Sequence, residues 1–189
     1  DYFVLEADEY GVNPPIDTTP KFHSLNPDYI IATNIDFDHP DIYKDLSSVK
    51  KAFMHFFQKK SVQKSIACRD DENLTDVIRD ISIGKFVTYG FSKDSDLIIR
   101  DIKTITQDEK MYQSMRFSYK GSDLGEFISL LFGKKNALNV ACAVLFLLEL
   151  GFDAEKVKKA LINFSGAQRR FELVAHIGNN VLFDDYAHH

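Results

Sequence analysis

Hydrophobic and polar positions follow two periods along this chain, and each predicts a different kind of element. Short unbroken apolar runs at residues 2–5 and 29–32 predict buried strands, a short strand is expected over 65–68, and a further strand is expected over 85–89, stopped by Gly90. Between them the period lengthens. Val49, Ala52, Phe53, Phe56 and Phe57 fall at helical spacing, so residues 45–60 predict a helix with one apolar face, capped by Ser47 or Ser48, with His55 on the solvated side. A second helix is expected over 74–81. From 96 to 131 the texture changes to β-type runs at 97–99, 102–105, 115–119 and 127–131, separated by turn clusters, which predicts a small antiparallel meander. Residues 137–150 are apolar on nearly all sides and predict a buried helix closed by Gly151. Asp153 caps an amphipathic helix to about 164, and strands are expected over 169–174 and 181–183 around a turn at Gly178-Asn179-Asn180. Residues 11–20 hold three prolines and predict a surface loop.

Strands alternating with helices predict an α/β fold, a mostly parallel sheet flanked by helices and carrying the meander. The longest apolar run, residues 140–148, is too short to span a bilayer, so no membrane insertion is expected. A net charge of −5 excludes a non-specific nucleic-acid binder, which needs a basic surface. Sixteen Phe and no Trp predict a phenylalanine-filled core. Cys68 and Cys142 lie inside apolar runs and read as buried free thiols of a reducing compartment, so a cytoplasmic location is expected. The sequence opens without Met inside a strand pattern and stops after His188-His189, so a longer parent protein is expected.

Candidate chemistry gathers where strands end. Acids cluster after three of them: Glu6/Asp8/Glu9, then Asp36/Asp38/His39/Asp41, then Asp184/Asp185. In an open α/β sheet these are expected to share one edge, where ligands bind. Magnesium with a nucleotide takes one or two protein ligands, and Glu6 with His39 is a candidate pair. Imidazole suits a transition metal equally, and acids at strand ends also serve as solvated caps. Gly133-Lys134-Lys135-Asn136 opens a helix, a place that binds anions, yet it also reads as an ordinary cap. Arg169-Arg170 suits phosphate or a bare surface. A metal-dependent phosphoester hydrolase built on Asp36, Asp38, His39 and Asp41 is a competing reading.

Glu6-Ala7-Asp8-Glu9-Tyr10, Asn34 to Asp41, Gly133 to Asn139, Arg169-Arg170-Phe171-Glu172 and Asp184-Asp185-Tyr186-Ala187-His188-His189 together resemble the Mur ligase family. The resemblance covers essentially the whole chain. It implies a P-loop NTPase-like central domain over 1–183 and the start of a C-terminal domain at 184–189. It implies ATP and Mg2+ as cofactors, Glu6 and His39 as metal ligands, and Glu6, His39 and Arg170 as catalytic residues. Asn136, Asn139, Arg170 and Asp185 are implied as nucleotide contacts. The implied reaction joins L-alanine to UDP-N-acetylmuramate through an acyl phosphate, in peptidoglycan precursor synthesis. Joining of a murein tripeptide, or a non-catalytic ligase-like binding module, are the alternatives. Two departures stand out. No Gly-x-x-x-x-Gly-Lys-Ser/Thr occurs in the sequence, so these residues alone are expected to be inactive, and Lys135 stands where the family usually has His.

Overall fold

The computed structural model describes residues 2–81, 86–107, 110–170, 172–178 and 180–186. The expected strand start at Lys85, the turn residues Asp108, Glu109 and Asn179, and Phe171 and residues 187–189 of the resemblance lie outside them. In chain order the elements are β1 (Gly11–Asn13), β2 (Asp17–Pro20), a 3-10 turn (Lys21–Ser24), β3 (Tyr29–Ala32), α1 (Leu46–Phe57), β4 (Lys64–Cys68), α2 (Glu72–Arg79) and β5 (Phe86–Gly90). There follow β6 (Leu97–Gln107), β7 (Lys110–Tyr119), β8 (Ser122–Ser129), α3 (Lys134–Glu149), α4 (Ala154–Leu161), β9 (Glu172–Ile177) and β10 (Asn180–Asp184).

Six strands form one sheet in the order β3-β4-β5-β6-β7-β8. The pairs from β3 to β6 are parallel, and β6-β7-β8 is antiparallel. The meander is therefore continuous with the parallel sheet. The runs 97–99 and 102–105, expected as separate strands, are one strand, β6, whose register shifts between Ile99 and Ile102. Positive φ at both Lys120 (49°) and Gly121 (83°) matches the primed turn that a two-residue hairpin between twisted strands requires.

Helices cover both faces. On one, Phe57 of α1 meets Phe86 of β5 at 5.2 Å between ring centroids, and Phe22 packs on Phe56 at 4.7 Å. On the other, α3 buries Ala137, Val140, Ala141, Cys142, Val144 and Leu145. Phe22, Phe57, Phe117 and Phe127 are among the largest fully buried side chains, as the phenylalanine content predicts. Cys68 and Cys142 are buried free thiols, and burial pushes Cys142 up to about 12. The N-cap of α1 is Asp45 rather than a serine. Its carboxylate accepts the Ser48 amide at 2.8 Å while its own amide donates to Ser48 Oγ at 3.2 Å, a reciprocal cap that satisfies two donors. Among the described residues, no helix is long and apolar enough to cross a membrane.

Two further expectations differ from the structure. Residues 2–5 are irregular and exposed, Phe3 by 90 %, where a buried strand is expected. Among the described residues no strand supplies their backbone with a ladder partner, and apolarity without a partner does not make a strand. The proline-rich loop, in turn, closes into the short antiparallel pair β1-β2.

Glu149 ties the far end of α3 to the sheet. Its side chain is 7 % exposed and accepts from Lys64, Tyr119 and, at 3.1 Å, Lys120. Burial alone would raise its carboxyl. The three donors outweigh burial and hold it at about 2, against an ordinary 4.5. A depressed carboxylate stabilises the fold fully above 4.5, and that contribution fades as pH falls toward 2. Glu149→Gln is expected to remove roughly 2–3 kcal/mol at pH 7 and to flatten the loss of stability between pH 4.5 and 2, read by urea denaturation across that range. Asp71 likewise serves two segments, accepting the Leu74 amide of α2 at 2.7 Å and the Ile35 amide at 3.3 Å. Asp71→Ala should cost about 1–2 kcal/mol and speed hydrogen exchange at Ile35, which a cap serving α2 alone would leave unchanged.

Candidate functional site

Parallel pairing sends the C-terminal ends of β3, β4 and β5 to one edge of the sheet. The orientation of α3 brings a helix N-terminus to that edge. Its far end lies at the strand starts, where Tyr29 meets Phe146 at 5.6 Å and Lys64 pairs with Glu149. Its near end lies at the strand ends, where Lys134 Nζ sits 4.9 Å over the Phe91 ring just beyond β5. Two of the acids here are committed to building loops. Asp70 accepts the amides of Phe91 (2.7 Å) and Ser92 (2.9 Å), and Asp71 with Asn73 holds Ile35, whose carbonyl accepts Asn73 Nδ2 at 2.9 Å.

After β3 the chain makes a tight knot around His39. Its φ is +58°, a left-handed conformation that is sterically disfavoured in a residue preceding proline. Its carbonyl accepts the amides of Ile42 and Tyr43, both at 2.9 Å. The ring is held by the segment before β1. Nε2 lies 3.2 Å from Glu9 Oε1, and the Tyr10 ring meets the imidazole edge-on at 4.9 Å. Tyr10 Oη donates to Asp41 at 2.7 Å, and Tyr43 Oη donates to the Glu9 carbonyl at 2.7 Å. The Asp41 bond raises the Tyr10 phenol, while burial, then Glu9 and Asp8, push Tyr43 up to about 12. Asp8 is held below the usual carboxylate range by Lys21, which donates to it at 2.7 Å.

The predicted residues divide between this knot and other places. The segments carrying Glu9 and His39 do converge. Glu6 lies in the exposed irregular stretch, and the carboxylate against His39 is that of Glu9. Asn136 is half-buried in the first turn of α3, donating to the Phe132 carbonyl at 2.9 Å, and Asn139 is exposed one turn on. Asp184 and Asp185 are not on a strand of the main sheet. Asp184 ends β10 and Asp185 follows it; among the described residues β10 pairs only with β9, in a separate two-stranded sheet whose hairpin satisfies its own ladder. There Arg169 Nε lies 4.0 Å from Asp184 and its guanidinium 4.7 Å over the Tyr186 ring, while Arg170 and Asp185 are exposed. His55 is exposed as expected, yet its ring meets His23 at 4.6 Å. Sequence spacing gave no hint of Tyr10, Tyr43, Asp71 or Asn73 as the stitches of the knot, since each acts across more than thirty residues of chain.

Beside the knot an open groove of about 1150 Å³ has Glu6, Glu9, Asp36 and Asp38 along its polar side. Among the described residues no group of three or more His, Cys, Asp or Glu is gathered as a metal cage. The donor chemistry offered is a carboxylate–imidazole pairing, which suits a cation that takes its remaining ligands from phosphate and water.

Residues 1–147 match the Mur ligase middle domain. A UDP-N-acetylmuramate–L-alanine ligase of Syntrophobacter fumaroxidans is 33 % identical across the whole chain, which spans 38 % of that protein. The enzyme of the same name from Lactiplantibacillus plantarum is 37 % identical, again across the whole chain and 39 % of its own length. The crystal structure of the UDP-N-acetylmuramate–alanine ligase of Thermotoga maritima superposes with a TM-score of 0.73 and 25 % identity, covering 89 % of this chain and 36 % of that one. A family match over most of its length, on a sheet whose strand ends carry the His39 knot and the start of α3, establishes that this chain belongs to the Mur ligase family.

Proposed function

We propose that this chain is the central part of an ATP-dependent amide ligase that joins L-alanine to UDP-N-acetylmuramate in peptidoglycan precursor synthesis. The observation that carries the reading is that the His39 knot and the α3 N-terminus both lie along the edge formed by the C-terminal ends of the parallel strands. That edge offers acids, an imidazole and helix amides where a triphosphate and its cation need them. The names of the relatives supply the acceptor and the amino acid.

In this reading the muramate carboxylate oxygen attacks the γ-phosphorus and ADP departs. The alanine amine then attacks the acyl carbon, forming the amide and releasing phosphate. Bound magnesium would neutralise charge on the transferring phosphoryl group. Glu6 and His39 are the residues proposed to hold it. Asn136 and Asn139 are proposed to face the adenine side, Arg170 the phosphates and Asp185 the ribose. Lys134 and Lys135, at the start of α3, add positive charge near the phosphates. The cytoplasm, where ATP is available, is the proposed location.

The test is ADP release by the full-length protein. It should require both UDP-N-acetylmuramate and L-alanine, and residues 1–189 alone should show none. His39→Ala should lower turnover roughly 100-fold or more with the circular dichroism unchanged. A murein tripeptide replacing L-alanine would identify the recycling reaction instead. Phosphate release from simple esters without an amine acceptor would sink the ligase reading.

A further inference from the structure

Glu9 and His39 stand thirty residues apart in sequence and 3.2 Å apart in space. The contact has a chemical direction. A carboxylate only accepts, so the proton of the pair lies on Nε2 of the imidazole. In the neutral imidazole the one remaining lone pair is then on Nδ1. Asp38 stands farther from Nε2 than Glu9 does. Its Oδ2 lies 3.8 Å away, beyond hydrogen-bond distance, and its Oδ1 accepts the His39 amide at 2.7 Å. Glu9 is itself anchored, because Tyr43 Oη, on a buried side chain, donates to its carbonyl at 2.7 Å. Tyr10, the next residue, closes one side of the imidazole and reaches on to Asp41. The backbone beneath the ring is held in a left-handed conformation at +58°. Ring, backbone and partner are thus fixed together, which is how a ligating histidine is oriented by a carboxylate behind it.

We propose that Glu9 is a positioning residue. Its carboxylate accepts the His39 Nε2–H, fixes the imidazole in that tautomer, and presents Nδ1 as the nitrogen that meets the cation. The inference rests on the reading of His39 as a metal-site residue, and it separates the roles of the two glutamates of Glu-Ala-Asp-Glu. Glu6 lines the groove beside the knot, and Glu9 stands behind the histidine.

The tautomer is readable without any ligand. In metal-free, 15N-labelled full-length protein at mildly alkaline pH, long-range proton–nitrogen correlation should show His39 protonated at Nε2 and bare at Nδ1. A His39 protonated at Nδ1 overturns the proposal with no variant needed. Glu9→Ala should give a mixture of tautomers and weaken manganese(II) binding, titrated with a non-hydrolysable ATP analogue present, by roughly 10- to 100-fold. Glu9→Gln keeps an oxygen that accepts from Nε2–H and should recover most of that loss, which a purely steric role would not predict. His39→Ala is run beside them. If it weakens manganese binding and Glu9→Ala does not, this inference alone fails. If neither variant weakens it, the metal reading of His39 fails and this inference falls with it.

Discussion

Parallel pairing of β3 through β6 is the constraint on which the rest of the molecule depends. It sends the chain back to one edge of the sheet after each strand, so the segments after β3, β4 and β5 are neighbours although far apart in sequence. It also fixes where α3 begins. A helix packed antiparallel to those strands starts at their C-terminal ends. The two ends of the sheet then receive different electrostatics. At the strand starts, the C-terminal turn of α3 carries Glu149, a sign the helix dipole opposes, and two lysines and a tyrosine offset it. At the strand ends, acids collect beside a helix N-terminus.

Which acids are consumed is the distinction the site turns on. Asp70 and Asp71 are spent on amides and give the loops their shape. Asp8 is neutralised by Lys21. Glu9 is used on His39, and Asp41 on the Tyr10 hydroxyl. The knot therefore converts an acid-rich stretch into a fixed frame around a single imidazole. Its strain at His39 is sustained by two amides on the His39 carbonyl and by the tyrosines on either side.

Most of the fold was legible because it follows from periods of two and 3.6 and from local punctuation. The apolar spacing from Val49 to Phe57 is a helix, and Gly151 closes α3 at a φ of +84°. The fold class and the family were readable as well, the first from alternating strands and helices, the second from several short segments in register. What failed was whatever depends on partners. Residues 2–5 carry the apolar signature of a strand, but a strand is a property of two chains side by side, and the signature says nothing about the neighbour. The expectation that all three acid clusters end strands of one sheet failed for the same reason. Asp184 does end a strand, with Asp185 following it, but that strand belongs to its own two-stranded ribbon.

The candidate site shows the same limit at finer scale. Composition and position marked Glu6, Glu9 and His39 together, because a strand end rich in acids is a local feature. Nothing local distinguishes one glutamate from another three residues away. The distinction comes from Tyr10 and Tyr43, whose hydroxyls bind the segment at 8–10 to the turn at 39–43 across more than thirty residues. Those hydroxyls fix the distance between the two segments, and the distance decides which carboxylate faces the imidazole. An apolar ring in place of either tyrosine would preserve the pattern of hydrophobic positions and lose that choice. Specificity at this edge therefore lies less in the acids than in the phenols that measure out the gap between them.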